Sequence, residues 1–500
     1  MPEKTQSSPL LNAGEYTVNK VVELNFFDLT GEKAKTKGSS SKSYHAELQF
    51  SKKDQKAQIY TLWGPTGGNQ TSDWRYYDSQ DKAAKEFESI IKSKKRKGYQ
   101  EIDVAQRAYG SDEAKQITKA VTLTNMDDSL KAGVSKLHTQ TQKLISNLMG
   151  ATNAFVAQTL KCPLGQLTNS QIDVGREKLN KAKDIVNQLN GKTVAENSVT
   201  YNEILSLTND FYSLIPHNLG SGFRGKMDHL LLNDITRIVQ KESDLDTLLD
   251  AKSIGAVLKS DSNIDDQYNT LDADLKYIEH NEPMYKFILD YFKSSKVRQH
   301  GFVNEAVKNV WAISRHGSET SNFLTKAKKI AKECSGYSYI KEAARLYDAS
   351  KFGNDKRTDL DKDLLELYNK SNTWFCWHGT RAANVTGITK RGLLIRPAGA
   401  VLTGAMFGPG AYLAHQSTKS LNYCDGGYWT GGHGVAKKYM FLMDSTMGNM
   451  HVAKNPFYYP DAPKGFHSVF GKANISGVMN DEMIVYDINQ VKISYLLEIE

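Results

Sequence analysis

The chain has 500 residues, of which 39% are hydrophobic and 24% charged, and its net charge is +8 at pH 7. Two to four domains are expected at this length, and no apolar run approaches the roughly 20 residues of a membrane-spanning helix. The polar N-terminal residues lack the apolar core of a secretory signal, so an intracellular protein without a membrane anchor is predicted.

The first segment, residues 1–115, is predicted to be a small α/β domain. The alternating runs "YTVNKVVELNFF" and "YHAELQF" indicate strands, and "KAAKEFESIIKSK" has helical spacing. Residues 1–100 contain 17 Lys and Arg against 12 Asp and Glu, and the densest basic run, "KSKKRK", includes Lys94, Lys95 and Arg96. Such a run suits phosphate contacts or nuclear import, although a solvated helix end gives the same pattern.

The second segment, residues 125–355, is predicted to be an all-α bundle of six or more helices. In "TNSQIDVGREKLNKAKDIVNQLNG", Thr168 and Gln171 fit a capping box, apolar residues recur on one face, and Asn190 with Gly191 ends the helix. The run "SDLDTLLDAKSIGAVL" repeats this spacing. Nothing in this composition indicates catalysis, so the residues alone are compatible with a purely structural role.

The third segment, residues 356–500, is predicted to be a mostly antiparallel β-domain. Residues 371–480 hold 16 of the chain's 37 glycines, and helical spacing gives way to the short apolar runs "NTWFCWHGT", "AYLAH", "MIVYDI" and "VKISYLLEIE". Dense glycine also lets the backbone approach a ligand closely. Chemistry is therefore expected in this segment.

Three residues of the third segment are candidates for that chemistry. His378 ends an aromatic strand in "WHGT", Tyr412 follows small or rigid residues in "FGPGAYLA", and Glu482 opens the apolar strand of "MNDEMIVYD". Each signal is weak alone, because strand-end histidines and such tyrosines are more often structural and strand-end glutamates are usually solvated. There is no P-loop, GxSxG or HExxH, and the four cysteines form no CxxC pair, so no metal is expected.

Taken together and in their order along the chain, however, the stretches around these three residues closely resemble the catalytic domain of the poly(ADP-ribose) polymerase family. The matching stretches are WHGT, RGLLIRP, VLTGAMFGPGAYLA, KSLNYC, PKGFHSV and GVMNDEMIVYDINQVKISYLLEI. "CPLGQLTNSQI" and "FYSLIPH" are similar to the family's helical regulatory domain, and "LWGPTG" with "KGYQEI" is similar to a WGR domain. The resemblance implies a WGR-like DNA-binding domain at 1–115, a helical regulatory domain at 125–355 and an ADP-ribosyltransferase domain at 356–500.

The resemblance also implies a catalytic triad of His378, Tyr412 and Glu482, with NAD as the substrate. Glu482 would stabilise the positive charge that develops at the anomeric carbon when nicotinamide leaves, and would accept a proton from the incoming hydroxyl. The residues implied to bind NAD are His378, Gly379, Thr380, Asn384, Tyr412, Lys419, Ser420 and Tyr423. Within this set His378 would bind the adenosine ribose, and the two tyrosines would sandwich the nicotinamide ring.

Residues at two further sites follow from the same resemblance. Met406 would lie at the acceptor pocket, and Trp63, Lys94, Lys95 and Arg96 would contact DNA. Two departures from the family pattern concern these regions. Pro65 stands where the WGR signature has an arginine, which removes the side chain expected to reach the helical domain, with Arg75 as a candidate substitute. Leu394 replaces a basic residue near the adenine, with Arg396 as a candidate substitute.

The leading hypothesis is a poly(ADP-ribose) polymerase that DNA strand breaks stimulate and that modifies itself and other proteins. Its helical domain would restrict access of NAD until DNA binds. A glutamate at position 482 favours chain elongation. The alternatives are a mono-ADP-ribosyltransferase acting on proteins or nucleic-acid ends, and a non-catalytic DNA-binding scaffold. The expected partners are NAD, damaged double-stranded DNA and acceptor proteins, and the expected state is a monomer in the nucleus of a eukaryote or in the cytoplasm or nucleoid of a bacterium.

Overall fold

The computed structural model describes residues 15–34, 40–66, 69–102, 135–160, 164, 167–189, 194–196, 198–218, 228–257, 262–297, 300–302, 304–334, 339–395, 406–427 and 437–500. The chain divides into two compact units: residues 1–126 with 153–261, and residues 127–152 with 262–500. Arg396 lies outside the described residues.

The N-terminal part of the first unit is an antiparallel sheet with strand order β4-β3-β2-β1-β5 and one helix packed on it. Its elements are β1 (Tyr16–Asp28), β2 (Ser40–Ser51), β3 (Ala57–Pro65), β4 (Thr71–Tyr77), α1 (Gln80–Arg96) and β5 (Gln100–Ile102). Alternate residues of the central strands, such as Leu24, Ala46 and Ile59, are buried together with Phe87 and Ile91 of α1. The period of two in the strands and of 3.6 in the helix therefore gives the predicted α/β domain.

The remainder of the first unit is helical. Its helices are the last turns of α2 (Thr139–Thr159), then α3 (Asn169–Gln188), α4 (Val199–Leu214) and α5 (Ile235–Val257). The predicted capping box is present at the start of α3, because the Thr168 hydroxyl accepts from the Gln171 amide and the Gln171 side chain accepts from the Thr168 amide. Leu179 and Ala182 of α3 are buried with Leu245 and Leu248 of α5, as the helical spacing predicts.

Helix α4 packs against strands β1 and β5 within this unit. The Phe27 amide donates to the Ser213 hydroxyl over 2.8 Å, and the Leu29 amide donates to Asn209 Oδ1 over 2.9 Å. The rings of Phe27 and Tyr212 lie 5.1 Å apart. Because both hydrogen bonds are buried, each helix side chain satisfies a backbone amide that would otherwise be costly to leave unpaired.

The second unit is built on two sheets. One has strand order β6-β7-β14-β10-β8 and the other β11-β12-β13-β9. The strands are β6 (Ala273–Tyr277), β7 (Val307–Arg315), β8 (Thr373–Thr380), β9 (Ala411–Leu413), β10 (Lys438–Thr446), β11 (Met450–Val452), β12 (Ser468–Gly471), β13 (Glu482–Val485) and β14 (Val491–Ile499). All pairings are antiparallel except that of β11 with β12, which confirms the predicted mostly antiparallel fold.

Helices cover these sheets and connect their strands. They are the first part of α2, then α6 (Ile264–Asn269), α7 (Pro283–Ser294), α8 (Glu319–Glu333), α9 (Tyr339–Ala343), α10 (Lys362–Lys370), α11 (Ala382–Arg391) and α12 (Ser417–Leu421). Within this unit, Trp311 of β7 donates its indole N–H to the Thr141 hydroxyl of α2 over 3.1 Å. The first turn of α2 is thus tied to the larger sheet.

Strands β6 and β7 correct one part of the sequence prediction. Residues 125–355 are predicted to be helical throughout, yet β6 and β7 pair with each other and β7 pairs with β14. The sequence of β6, "ADLKY", alternates buried and exposed residues, but a period of two over five residues is too short to stand out between helices. The boundary predicted at residue 356 therefore separates these two strands from the sheet that they complete.

A buried ionic network lies across the larger sheet. The Arg357 guanidinium contacts Asp444 of β10, and that carboxylate also accepts from Tyr368 over 3.0 Å and from Ser494 over 2.7 Å. Lys492 adds an ion pair over 3.1 Å. Burial opposes the charge, but these donors hold the pKa of Asp444 well below its ordinary value. The network thus supplies the compensation that a buried carboxylate requires.

Candidate active site

Three strands bring the predicted triad to one region of the second unit. His378 lies on β8, Tyr412 on β9 and Glu482 at the first position of β13. Strands β9 and β13 pair directly. Residues Trp377 and Ala414 then join β8 to the end of β9, through amide–carbonyl hydrogen bonds of 2.7 and 3.0 Å. The candidate site therefore lies where the edges of the two sheets meet.

His378 is held in one tautomer by the backbone of β9. Its Nδ1 lies 3.2 Å from the Tyr412 carbonyl oxygen, so that nitrogen carries the proton and donates it. Burial lowers the pKa of the imidazole below its ordinary value. The ring is therefore neutral near pH 7, and its Nε2 offers a lone pair that can accept from a ligand hydroxyl.

Gly379 is required by the close approach of α12 to β8. A Cβ atom added at this position would lie 1.7 Å from the Ser420 carbonyl oxygen, a backbone atom that no rotamer change can move. Ser420 is itself buried. The contact places the Gly379 peptide beside Ser420, and both residues belong to the set that the family resemblance implies for NAD.

Two tyrosines border the same region. The Tyr412 hydroxyl donates to the Gly408 carbonyl over 2.9 Å and accepts from the Phe407 amide over 3.0 Å, so both of its hydrogen-bonding functions are used by the backbone. Burial and the nearby Glu482 charge raise the pKa of Tyr423 to about 12. Both rings are therefore neutral aromatic surfaces, and the second lies within electrostatic reach of Glu482.

Glu482 has one engaged and one unengaged carboxylate oxygen. Its Oε1 forms an ion pair with Lys419 Nζ over 2.9 Å, and the same ammonium donates to the Asp481 carbonyl over 2.8 Å. Burial lowers the pKa of Lys419, while the two neighbouring acidic groups oppose that effect. Oε2 is buried and has no hydrogen-bond partner among the residues that the structure describes. A buried carboxylate oxygen without a donor is costly, so this atom is suited to accept a hydroxyl from a ligand.

The other predicted NAD residues lie on adjacent elements. Thr380 is buried at the end of β8, and Asn384 on α11 donates to its hydroxyl over 3.3 Å. Met406, predicted for the acceptor pocket, has 43% of its surface exposed. Leu394 is half-exposed and lines a cleft of about 840 Å³ with Arg391 and others. His378 and Glu482 do not line that cleft, so it is separate from the region described above.

The predicted DNA residues of the first unit fall into two groups. Trp63 is partly exposed and stacks on Tyr44 at a ring distance of 6.2 Å, and Lys94 Nζ lies 3.8 Å from the centre of the Tyr44 ring. Lys95 instead forms an ion pair with Glu101, and Arg96 is exposed. All three basic residues lie in the last turn of α1, where positive charge is also favourable for the helix dipole.

Gly64 shapes the strand end that carries Trp63. A Cβ atom at Gly64 would lie 2.7 Å from the Asn69 carbonyl oxygen, so the chain after β3 folds back closely on this residue. Pro65 pairs with Lys42 at the last position of β3 and is exposed. Arg75, the candidate substitute for the missing arginine, forms ion pairs with Asp73 and Glu86.

Two charged residues and a histidine beneath the candidate site were not predicted from the sequence. Arg345 and His415 both contact the carboxylate of Asp481, the residue that precedes Glu482. The acidic neighbour of Glu482 was visible in the sequence, but its partners are 136 and 66 residues away along the chain. Only the fold brings them together.

The described ranges contain neither a candidate membrane-spanning helix nor a candidate metal site. No helix there is both long and apolar enough to cross a bilayer. Within the same ranges, no group of three or more His, Cys, Asp and Glu side chains is placed to hold a metal ion.

Comparison with known families finds three matching domain models along the chain. Residues 27–106 match the WGR domain, residues 135–275 the poly(ADP-ribose) polymerase regulatory domain, and residues 283–477 the poly(ADP-ribose) polymerase catalytic domain. The third match starts at the first residue of α7, so β7 falls within it.

Similar proteins occur in animals and plants. Poly [ADP-ribose] polymerase 1 of Xenopus laevis is 28% identical over 412 residues, which cover 74% of this chain and 35% of that protein. The Gallus gallus protein of the same name is 27% identical, with 78% of this chain and 36% of that protein covered. Poly [ADP-ribose] polymerase 2 of Arabidopsis thaliana is 23% identical, with 91% and 70% covered. The chain thus spans about a third of the length of the frog and chicken relatives.

Proposed function

The chain belongs to the poly(ADP-ribose) polymerase family, and on this basis we propose that it transfers ADP-ribose from NAD to proteins, itself included, and extends it into polymer in response to DNA strand breaks. The observation that carries the proposal is the state of Glu482. Its Oε1 is fixed by Lys419, and its buried Oε2 lacks a partner within the described chain. A carboxylate held in this way is prepared for a substrate hydroxyl.

The residues around Glu482 have the properties that binding of NAD would need. The neutral His378 would accept a hydroxyl of the adenosine ribose at Nε2, because its Nδ1 proton is already donated to Tyr412. The peptide of Gly379 and the hydroxyl of Ser420 would bind the carboxamide, since no side chain separates them. Tyr412 and Tyr423 would stack on the nicotinamide ring, whose positive charge favours aromatic faces.

Transfer would then proceed with charge stabilised by Glu482. The bond between the nicotinamide nitrogen and the ribose anomeric carbon breaks, and its electron pair leaves with nicotinamide. The carboxylate stabilises the resulting positive charge and holds the ribose hydroxyl. In elongation, the hydroxyl of the growing chain forms the new bond to the anomeric carbon, and its proton passes to Glu482. A side chain without a carboxylate at position 482 could not accept this proton.

The N-terminal domain would provide the response to DNA. Trp63, supported by Tyr44 and Lys94, would stack on a sugar or base at the break, and the exposed Arg96 would contact phosphate. Pro65 removes the arginine route to the helical domain. The packing of α4 against β1 through Ser213 and Asn209 offers another route, by which binding at the sheet would loosen the helical domain and open access to NAD.

Labelled NAD tests the proposal when the purified chain is incubated with and without a short nicked duplex and the products are separated on a denaturing gel. Glu482→Gln is the test variant. Glu366→Gln is the matched control, because that carboxylate is exposed on α10 and pairs only with Lys370 among the contacts of the described residues. A DNA-dependent smear of high mass that Glu482→Gln abolishes, and that Glu366→Gln leaves intact, is expected.

The alternatives give different gels. A sharp band of a single added unit, in the wild type, would favour a mono-ADP-ribosyltransferase. A smear of equal strength without DNA would retain the enzyme and contradict the response to breaks. No label in any lane, despite folding and DNA binding, would favour the non-catalytic scaffold.

A further inference from the structure

The carboxylate of Asp481, the residue before Glu482, is completely buried and fully engaged. Its side chain has 0% of its surface exposed. One oxygen accepts from His415 Nε2 over 2.9 Å and from the Arg345 guanidinium, and the other accepts from the Ala473 amide over 2.8 Å. Three donors from three separate stretches of chain therefore converge on this one carboxylate.

Consecutive residues of an extended chain point to opposite sides. Asp481 is held in the interior while Glu482 carries its carboxylate towards Lys419. The Asp481 carbonyl accepts from Lys419 Nζ over 2.8 Å, and the same ammonium pairs with Glu482 over 2.9 Å. The peptide joining the two acidic residues is thus fixed from both sides.

The Asp481 carboxylate and its three donors are here called the anchor. Arg345 connects this anchor to the protein surface. Its side chain is 31% exposed, whereas its partner Asp481 is not exposed at all. The guanidinium also donates to the Glu342 carbonyl over 3.2 Å, and the Glu342 carboxylate pairs with Lys472 over 2.7 Å. Close by, Tyr347 donates to the His415 carbonyl over 3.4 Å. The segment from Glu342 to Tyr347, here called the clasp, therefore supplies one partner of Asp481, Arg345, and contacts a second one, His415.

We propose that Arg345 and His415 are positioning residues, which act through Asp481 to hold Glu482 in the geometry that transfer requires. The inference rests on the proposed function. A buried ion pair rarely increases stability over an apolar substitute, so its cost calls for another role. Displacement of a catalytic group by about 1 Å is enough to slow a reaction roughly 100-fold, and the carboxylate of Glu482 is only one residue from the anchor.

Charge, and not only shape, is part of this anchor. Burial would raise the pKa of Asp481, but His415, the Ala473 amide and Arg345 together hold it below its ordinary value. The ionised carboxylate in turn helps to keep Lys419 protonated. Several charged and titratable groups surround Asp481: Arg345 and Glu342 of the clasp, Lys472, which pairs with Glu342, His415 after β9, Lys419 of α12, and Glu482 as the next residue in the chain. One further titratable group, His300, contacts the preceding residue Asn480.

The direction of the pH effect follows from the sign of the Arg345 charge. Without Arg345 the pKa of Asp481 rises, so the carboxylate takes up a proton at a higher pH than in the wild type. The acid limb of the pH profile of kcat should therefore move to higher pH in Arg345→Met. In Arg345→Lys, which restores the positive charge, the limb should return towards its wild-type position.

The experiment measures nicotinamide release from NAD by the full chain with nicked DNA, for wild type, Arg345→Met, Arg345→Lys and the control Lys351→Met. Lys351 is exposed and pairs with Asp348. We expect kcat of Arg345→Met to fall roughly tenfold or more, with KM for NAD and the inhibition constant of free nicotinamide changed less than about twofold. Arg345→Lys should recover most of kcat, and Lys351→Met should match the wild type.

Each contrary result has a distinct meaning. An unchanged kcat in Arg345→Met, or a fall in kcat with no movement of its acid limb, would overturn the positioning role. An equal loss in Arg345→Lys and Arg345→Met, with lowered melting temperatures in both, would show that the residue only stabilises the fold. Absence of nicotinamide release by the wild type would instead contradict the proposed function.

Discussion

The candidate active site of the second unit and the DNA-binding surface proposed for the first unit differ in the number of contacts that each of their residues makes. In the candidate active site, Gly379 lies against a backbone oxygen, the Tyr412 hydroxyl makes two hydrogen bonds, and Lys419 contacts two partners. At the N-terminal surface, Arg96 is exposed and Lys95 pairs with a local glutamate.

Where each residue has several partners, we expect few substitutions to be tolerated, and short stretches of sequence are enough to identify the candidate active site. Where partners are few, substitutions such as Pro65 are tolerated by the fold. Substitutions in the candidate active site, in the fold around it and at the N-terminal surface test this difference.

The largest effect is expected from Gly379→Ala. The new methyl group would meet the Ser420 carbonyl oxygen at 1.7 Å, so β8 or α12 must shift and the proposed carboxamide site would be disrupted. NAD-dependent labelling should fall by about 100-fold or more. Gly150→Ala on α2 is the control, since nothing lies within 4 Å of its new methyl group, and it should retain wild-type labelling. Comparable labelling by both variants would contradict the role of this contact.

A large effect on stability is expected from Asp444→Asn. Loss of the charge leaves Arg357 buried without its main partner, which should cost roughly 3–5 kcal/mol of unfolding free energy in denaturant titrations. The pKa of Asp444 is lowered in the fold, so its contribution is present above its unfolded pKa and is lost as pH falls through the folded pKa.

The difference between wild type and Asp444→Asn should therefore narrow as pH is lowered from about 5 towards 2. Asp355→Asn, which removes an exposed carboxylate paired with Lys356, should be nearly neutral. A gap between wild type and Asp444→Asn that widens at acid pH would show that the sign of the effect is wrong.

A smaller effect, on DNA affinity alone, is expected from Trp63→Ala. Stacking on one base or sugar is worth roughly 1–3 kcal/mol, so the Kd for a nicked duplex should rise by about five- to 150-fold. Tyr76→Ala removes another exposed aromatic ring of the same sheet and should change the Kd little. Equal losses in the two variants would place the DNA elsewhere on the domain.

The smallest effect is expected from Asn209→Ala, which leaves the Leu29 amide without its acceptor. If α4 transmits DNA binding, stimulation by nicked DNA should fall severalfold while DNA-independent labelling is unchanged. Asn202→Ala, an exposed position on the same helix, makes the same change in helix propensity and should keep full stimulation. Unaltered stimulation in Asn209→Ala would mean that this contact is only structural.

The sequence predicts the local elements of this protein well. The capping box of Thr168 and Gln171 is confirmed, as are the strands that carry His378 and Glu482, because each depends on residues close along the chain. Strands β6 and β7 were not predicted, since a short period of two is obscured between helices.

The long-range contacts of the site could not be predicted in the same way. Arg345 and His415 meet Asp481 only after the sheets have formed, and neither belongs to a motif. The contact of Lys94 with DNA stays a prediction, and the position of its ammonium over the Tyr44 ring is a further contact that the basic run does not reveal. Local composition cannot reveal a partner that lies on another strand.

The decisive measurement for the role proposed for Glu482 is the product length formed by Glu482→Gln, determined together with its KM for NAD. We expect the variant to bind NAD with a KM within a few-fold of the wild-type value and to form no polymer, because it lacks the carboxylate proposed to hold the ribose hydroxyl and to accept the acceptor proton. Polymer of wild-type length from Glu482→Gln would contradict that role.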